Sequence, residues 1–221
     1  GGVQAIGSLT YIQKVDKIVG PGNKFVSQAK LSLFGEIGTE SMIAGPSEIC
    51  VVADRNTNIN EISTSLIGQA EHDENSQCIL LTKDKLLIKK VITRINIILK
   101  KIPRKLIASK SLRKNGLIIY VNNDKKIPEI INLLAPEHLE INIKKPNKYL
   151  KKIVNVGSIC IGKYSAMAVS DYTVGTNHVL PTLGSAKFSS GLNVSEFYKK
   201  ISQIRLSKKG IEVIGKKAIT L

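Results

Sequence analysis

Short runs rich in β-branched residues alternate with stretches of helical period, and no other feature of the sequence restricts the fold as strongly. Runs at 17–19, 49–52, 79–81, 117–121, 139–143 and 158–161 read as strands. Between them the period is helical: from about Lys24, over 60–72, through a basic stretch beginning near Lys83, and after Pro128. Strands that alternate with helices are joined by crossovers and lie parallel, so an α/β fold with parallel sheets is predicted. Polar turns such as Asn56-Thr57-Asn58 separate elements without marking a domain boundary. After Gly191 the pattern reads as helical to the end, with Phe197, Ile201 and Ile204 on one side. That tail is expected to pack on the outside or on another subunit.

With 221 residues, 43% of them hydrophobic, the chain can bury a core without disulfide or metal staples. Its 33 Lys and Arg against 17 Asp and Glu give a net charge of +16 and raise nucleic-acid binding as a rival function. The distribution argues otherwise. Between Lys83 and Lys114 stand twelve basic residues and one acid, Asp84, yet Leu87, Val91, Ile95 and Ile98 recur there at helical spacing. This is an amphipathic helix with a solvated basic face. No aromatic residues are interleaved to stack on bases, and no zinc-finger, RRM or KH pattern occurs, so no specific nucleic-acid partner is expected. The longest apolar runs, such as 78–81, fall far short of the roughly 20 residues a membrane helix needs. Cys50, Cys78 and Cys160 each sit in an apolar stretch, which suits buried free thiols in a reducing compartment and makes a cytoplasmic location the expectation. The chain opens on Gly1 and an apolar segment, and reads as an interior stretch of a longer protein.

Neither GxGxxG nor a P-loop is present. Gly20-Pro21-Gly22-Asn23 lies instead between a strand and a helix, where glycines let backbone approach a ligand and a helix start offers N–H groups to an anion. Read alone it is a plain strand-to-helix turn. All three histidines lie in compact polar clusters. In Gln69-Ala70-Glu71-His72-Asp73-Glu74, Gln69 and His72 are three apart and leave one helical face, where both can reach one metal ion. In Ala135-Pro136-Glu137-His138-Leu139-Glu140, adjacent Glu137 and His138 can divide acid–base work, although a surface turn is the simpler reading. The third cluster, 171–178, holds Asp171 and His178 in a loop, the kind of segment that commonly carries function.

Taken in order, these strings resemble one family, histidinol dehydrogenase. The resemblance is carried by GGVQAIGSL at 1–9, VDKIVGPGNKFV at 15–26, MIAGPSEI at 42–49, QAEHDENSQ at 69–77, APEHLEI at 135–141, SDYTVGTNHVLPT at 170–182 and FSSGLNV at 188–194. It implies a zinc-containing enzyme that oxidises L-histidinol to L-histidine in two NAD-dependent steps through a bound aldehyde. By matching positions it implies zinc ligands Gln69, His72 and Asp171. It makes His138 the principal general base and Glu137 the activator of the water that attacks the aldehyde. Ser47, Gln69, His72, His138 and Asp171 would contact substrate with His178 nearby, and Gln4 and Asn23 would touch NAD.

The chemistry suits these residue types. An imidazole of unperturbed pKa about 6.5 takes and returns protons near neutrality, and zinc accepts a mixed nitrogen and oxygen shell. Glutamine is an uncommon zinc ligand, so Gln69 follows from the resemblance alone. The family implies two Rossmann-like lobes, both incomplete here: the rest of an NAD-side lobe over 1–47, a zinc and acid–base lobe over 48–190, and the start of a helical dimerisation tail over 191–221. It also implies a homodimer in which a C-terminal segment absent from these 221 residues supplies a further zinc-binding histidine and a substrate-binding glutamate. Departures from the family pattern are the segment 165–170, where the family more often has Pro-Glu and a glycine before the aspartate, and the short loop 11–13. The chain is therefore expected to be a fragment inactive alone, with a non-catalytic relic or a basic nucleic-acid-binding module as the alternatives.

Overall fold

The computed structural model describes residues 1–40, 45–170 and 172–220. The chain begins with α1 (Gly2–Gly7), which runs on into a π-helical turn, Ser8–Ile12. A small unit follows: β1 (Lys17–Ile18), α2 (Lys24–Ser32) and β2 (Gly38–Thr39), with the two strands parallel. Ile6, Ile18 and Ile37 form its core, with Leu9, Val26, Ala29 and Leu33 packed around them. β2 has no β-branched run to announce it in the sequence, because it is two residues long and one of them is glycine.

The larger unit alternates as its sequence period requires. It comprises β3 (Glu48–Ala53), α3 (Ile59–His72), β4 (Gln77–Thr82), α4 (Lys85–Leu99), α5 (Lys105–Asn115) and β5 (Gly116–Tyr120). It continues with α6 (Lys126–Leu134), β6 (His138–Asn142), α7 (Asn147–Leu150), β7 (Ser158–Ile161) and α8 (Met167–Ser170). The five strands are all parallel, in the order β5-β4-β3-β6-β7, so the connections reverse direction between β3 and β6. This is the doubly wound, Rossmann-like arrangement.

Alternation along each strand divides the core into two layers. Ile49, Val51, Cys78 and Leu80 pack beneath α3, α4 and α5 with Ile62, Leu66, Val91 and Ala108. Cys50, Val52, Ile79, Leu81, Leu139 and Ile141 pack on the opposite face with Ile127, Ile131 and Tyr149. Burial of each large aliphatic side chain contributes roughly 1.5–3 kcal/mol. The cysteines are buried and free, as their apolar settings suggested, and burial pushes the Cys50 and Cys78 thiols up to about 12.

Three expectations need correction. The basic helix is two helices, α4 and α5, broken around Pro103, which lacks an N–H and biases the preceding residue away from helical geometry. The tail is not helical from Gly191: Val194–Phe197 is a 3-10 turn, 198–206 has no regular structure, and a last helix, α9 (Lys208–Ile219), starts only after Ser207 caps it. Ile201 and Ile204 are 80% and 81% exposed, so the apolar side of the expected helix meets no surface to bury against among the described residues. The helix after Pro128 begins earlier, at Lys126, with the proline in the first turn, where a missing N–H costs nothing.

Candidate active site

Because the five strands are parallel, whatever precedes each of them gathers on one edge of the sheet. Ser47 and Glu48 head β3, Gln77 heads β4, Glu137 and His138 head β6, and Gly157 precedes β7. The register places Glu48 beside Gln77, Ile49 beside His138, and His138 beside Ser158. Half-buried Ser47 is fixed through its carbonyl, which accepts the Gln77 N–H at 3.0 Å.

Glu137 and His138 are brought onto this edge by a left-handed residue. α6 ends at Leu134 and is capped by Ala135, φ 48°, whose N–H still donates to the Ile131 carbonyl at 2.8 Å. That turn sends the chain through Pro136 into β6. Glu137 is 5% exposed and His138 4%, so the simpler reading of this string as a surface turn is wrong. Glu137 Oε2 accepts the backbone N–H of Glu48 at 2.9 Å, and Glu137 Oε1 stands 3.7 Å from His138 Nε2.

Glu48, which the motif reading passed over in favour of Ser47, holds three segments together. Its N–H reaches Glu137 and its Oε1 accepts the Leu183 N–H at 3.1 Å, while the Gly45 N–H donates to Thr182 Oγ1 at 2.6 Å. Burial pushes the Glu48 carboxyl above its ordinary range, with backbone hydrogen bonds from Leu183 and Glu137 acting the other way. The signal was present in the sequence: an acid opening the otherwise apolar run Glu48–Ala53, every residue of which is buried.

Gln69 and His72 sit in the last turn of α3, the helix that descends to the same edge. They differ in environment, since Gln69 is buried at 3% exposure and His72 is exposed. α8 packs against α3, and Met167 at its start joins the core layer that contains Leu66 and Ala70. The Met167 N–H donates to Glu140 Oε1 at 2.8 Å; burial raises the Glu140 carboxyl, opposed by this bond. The chain thus leaves α8 beside the helix that carries Gln69 and His72. Asp171, the next residue, lies outside the described residues. Among the described residues no three His, Cys, Asp or Glu side chains are grouped closely enough to hold a metal ion.

The segment that follows returns to the edge. Gly175, Thr176 and Asn177 line a cleft of about 550 Å³ with Gly157, Ser158 and Leu180, and neighbouring His178 is exposed. Gly157 makes this approach possible. Its N–H donates to the Pro136 carbonyl at 3.0 Å, and a Cβ there would meet the Glu137 carbonyl oxygen at 2.6 Å and Pro181 Cδ at 3.2 Å. Gly157→Ala is therefore expected to destabilise the fold by about 1–3 kcal/mol by forcing Glu137 or Pro181 aside. An unchanged urea midpoint would show that the contact yields freely.

Gln4 and Asn23 are not part of this edge. Gln4 is exposed on α1, and Asn23 caps α2, its Oδ1 accepting the N–H groups of Phe25 and Val26 at 3.0 and 3.2 Å. At the opposite edge of the large sheet, beyond the strand ends, a cleft of about 530 Å³ is lined by Asp54, Arg55, Lys83, Asp124, Lys148 and Tyr149 among others. Ligands of open α/β sheets usually bind at such an edge. Here Asp124 already accepts from Lys83 at 2.7 Å, Lys148 at 3.0 Å and the Tyr149 hydroxyl at 2.9 Å, and the two lysines hold its carboxyl well below the usual carboxylate range.

A family model described as histidinol dehydrogenase matches residues 1–221. The chain is 55% identical over 225 residues to the histidinol dehydrogenase of Pelagibacter ubique, covering 100% of this chain and 53% of that protein. It is 46% identical over 222 residues to that of Hydrogenovibrio crunogenus, covering 99% and 51%. The crystal structure of histidinol dehydrogenase from Elizabethkingia anophelis matches with a TM-score of 0.91 at 40% identity, over 98% of this chain and 51% of that one. An acetylating aldehyde dehydrogenase from Geobacillus thermoglucosidasius matches with a TM-score of 0.55 at 14% identity, over 92% and 60%, a likeness of fold alone. The chain spans about half the length of the curated relatives it matches.

Proposed function

The chain belongs to the histidinol dehydrogenase family, and from that membership we propose that it carries the acid–base and metal-binding portion of an enzyme that oxidises L-histidinol to L-histidine in two NAD-dependent steps. The observation that supports this most directly is the buried Glu137–His138 pair on the edge that also receives Ser47 and the end of α3.

Gln69, His72 and Asp171 would hold zinc. The donor set suits that metal: an amide oxygen, an imidazole and a carboxylate, with the Gln69 amide buried one turn from exposed His72 and α8 leading toward α3. Bound there, zinc supplies a Lewis acid that fixes the substrate's imidazole and amino groups. NAD, received in the small unit near Gln4 and Asn23, supplies the hydride acceptor for both steps.

This chain's own residues manage the protons. In the first step His138 Nε2 takes the alcohol proton as the C–H bond gives up its hydride, and the carboxylate 3.7 Å away stabilises the imidazolium that results. In the second, Glu137 takes a proton from water as its oxygen bonds to the aldehyde carbon, and the hydrate then loses the second hydride. The Glu48 N–H holds Glu137 Oε2 and so fixes which carboxylate oxygen faces the reaction. Ser47 and His178 would help orient the substrate.

In this reading residues 1–47 are the NAD-side lobe, 48–190 the zinc and acid–base lobe, and 191–221 the start of a dimerisation tail. The enzyme is a homodimer in the cytoplasm; among the described residues no helix is long and apolar enough to cross a membrane. In an active enzyme containing this chain, His72→Ala is expected to lower zinc affinity at least about tenfold. Titration calorimetry on metal-stripped protein measures this directly, and unchanged affinity would remove the metal assignment.

A further inference from the structure

We infer that Lys30 and Glu40 are positioning residues for cofactor binding, which they serve by fixing the loop between β1 and α2. This rests on the reading that the loop Gly20–Asn23 receives NAD. Lys30 lies on α2, the crossover between β1 and β2, and it is 9% exposed. Its ammonium donates to the Gly20 carbonyl at 2.7 Å and to Glu40 Oε1 at 2.5 Å. Gly20 lies just past the end of β1 and Glu40 follows β2 directly, so one side chain ties together the ends of both strands beside the start of the loop.

Lysine and glutamate are almost never buried unless paired. Even a paired burial is often no better for stability than apolar side chains of the same volume. The pair therefore points to a geometric requirement, and the loop shows what is being fixed. Gly20 has φ 132°, a region that favours glycine, so its carbonyl is aimed by a backbone other residues rarely adopt. A Cβ on Gly22 would meet Val26 Cγ1 at 2.4 Å, so the loop is drawn tightly onto α2. Asn23 Oδ1 is committed to the helix start, which leaves the Nδ2 group as its donor for a ligand. A shift at Gly20 would carry through two residues to that donor. The two charges of the pair cancel, so its contribution is placement of the loop and not attraction of an anionic cofactor.

The test uses an active enzyme containing this chain. Lys30→Met alone leaves the Glu40 carboxylate buried without its cation and is expected to be destabilised as well as impaired. The double variant Lys30→Met, Glu40→Leu removes both charges, and its thermal midpoint is expected to stay close to that of the parent. The double variant should nevertheless raise KM for NAD by about ten- to a hundredfold, while KM for histidinol and kcat at saturating NAD change far less. A stable double variant with unchanged KM for NAD would overturn the inference and leave the pair purely structural. So would an equal loss in KM for both substrates. Asn23→Ser, which keeps a capping oxygen but loses the amide donors, separates the two readings. If it leaves KM for NAD unchanged, the loop is not the cofactor site. If it raises that KM while the double variant does not, only the role of Lys30 and Glu40 fails.

Discussion

In an active enzyme that contains this chain, His138→Asn should slow both oxidation steps by about 10²- to 10⁴-fold, the usual contribution of a positioned general base. Each step releases a proton at the reacting oxygen, and asparagine fills a similar volume without a titratable nitrogen. Glu137→Gln should behave differently. It keeps an acceptor for the Glu48 N–H, so the clasp at the edge survives, but it cannot take a proton from water. Oxidation of the aldehyde should fall far more than oxidation of the alcohol, and the bound aldehyde should accumulate. Rapid mixing started from histidinol and, separately, from the aldehyde reads the two steps apart. Equal losses in both steps for the Glu137 variant would refute this division of labour.

The polypeptide of 221 residues expressed by itself should give no measurable oxidation of histidinol, even with zinc and NAD in excess. It spans about half the length of its curated relatives. Its small unit has two strands, with no third strand paired to either among the described residues, while Phe25 and Phe34 are 62% and 78% exposed beside them. Open edges and bare aromatic rings favour self-association. Loss of one orienting or charge-stabilising group costs several kcal/mol of transition-state stabilisation, and a poorly seated cofactor would compound it. The measurement is NADH absorbance with and without co-expressed N-terminal and C-terminal segments taken from the longer relatives. Robust turnover by the lone chain would show that the chemistry needs less of the fold than supposed.

Much of the large sheet was legible in the sequence, because a parallel strand buried on both faces must be apolar along its length. The runs 49–52 and 79–81 fall within Glu48–Ala53 and Gln77–Thr82, both central strands of the sheet. Helical period was a weaker guide where only tertiary contact decides. It joined α4 to α5 across Pro103, and it read a helix through Ile201 and Ile204, which find no packing surface among the described residues. For the site, adjacency in sequence revealed Glu137 beside His138, but their burial depends on a left-handed Ala135 and a docked 179–185 segment that no local pattern announces. Glu48 was missed for a related reason: its partners Glu137 and Leu183 are 89 and 135 residues away.

The placement of the site before the strands rather than after them has an electrostatic consequence. Each crossover helix starts at one edge of the sheet and finishes at the other, so α3 finishes at His72 and α6 finishes at Leu134, just ahead of Glu137. Aligned peptide units leave roughly half a negative charge at the finishing end of a helix and half a positive charge at its start. Two such negative poles converge on the edge that holds Gln69, His72, Glu137 and His138, which predisposes it toward a cation before any carboxylate is counted. The small unit has the reverse polarity, since its loop Gly20–Asn23 stands at the positive pole of α2. A single α/β pattern, entered from opposite ends, thus presents helix poles that favour cations at one place and helix poles that favour anions at another.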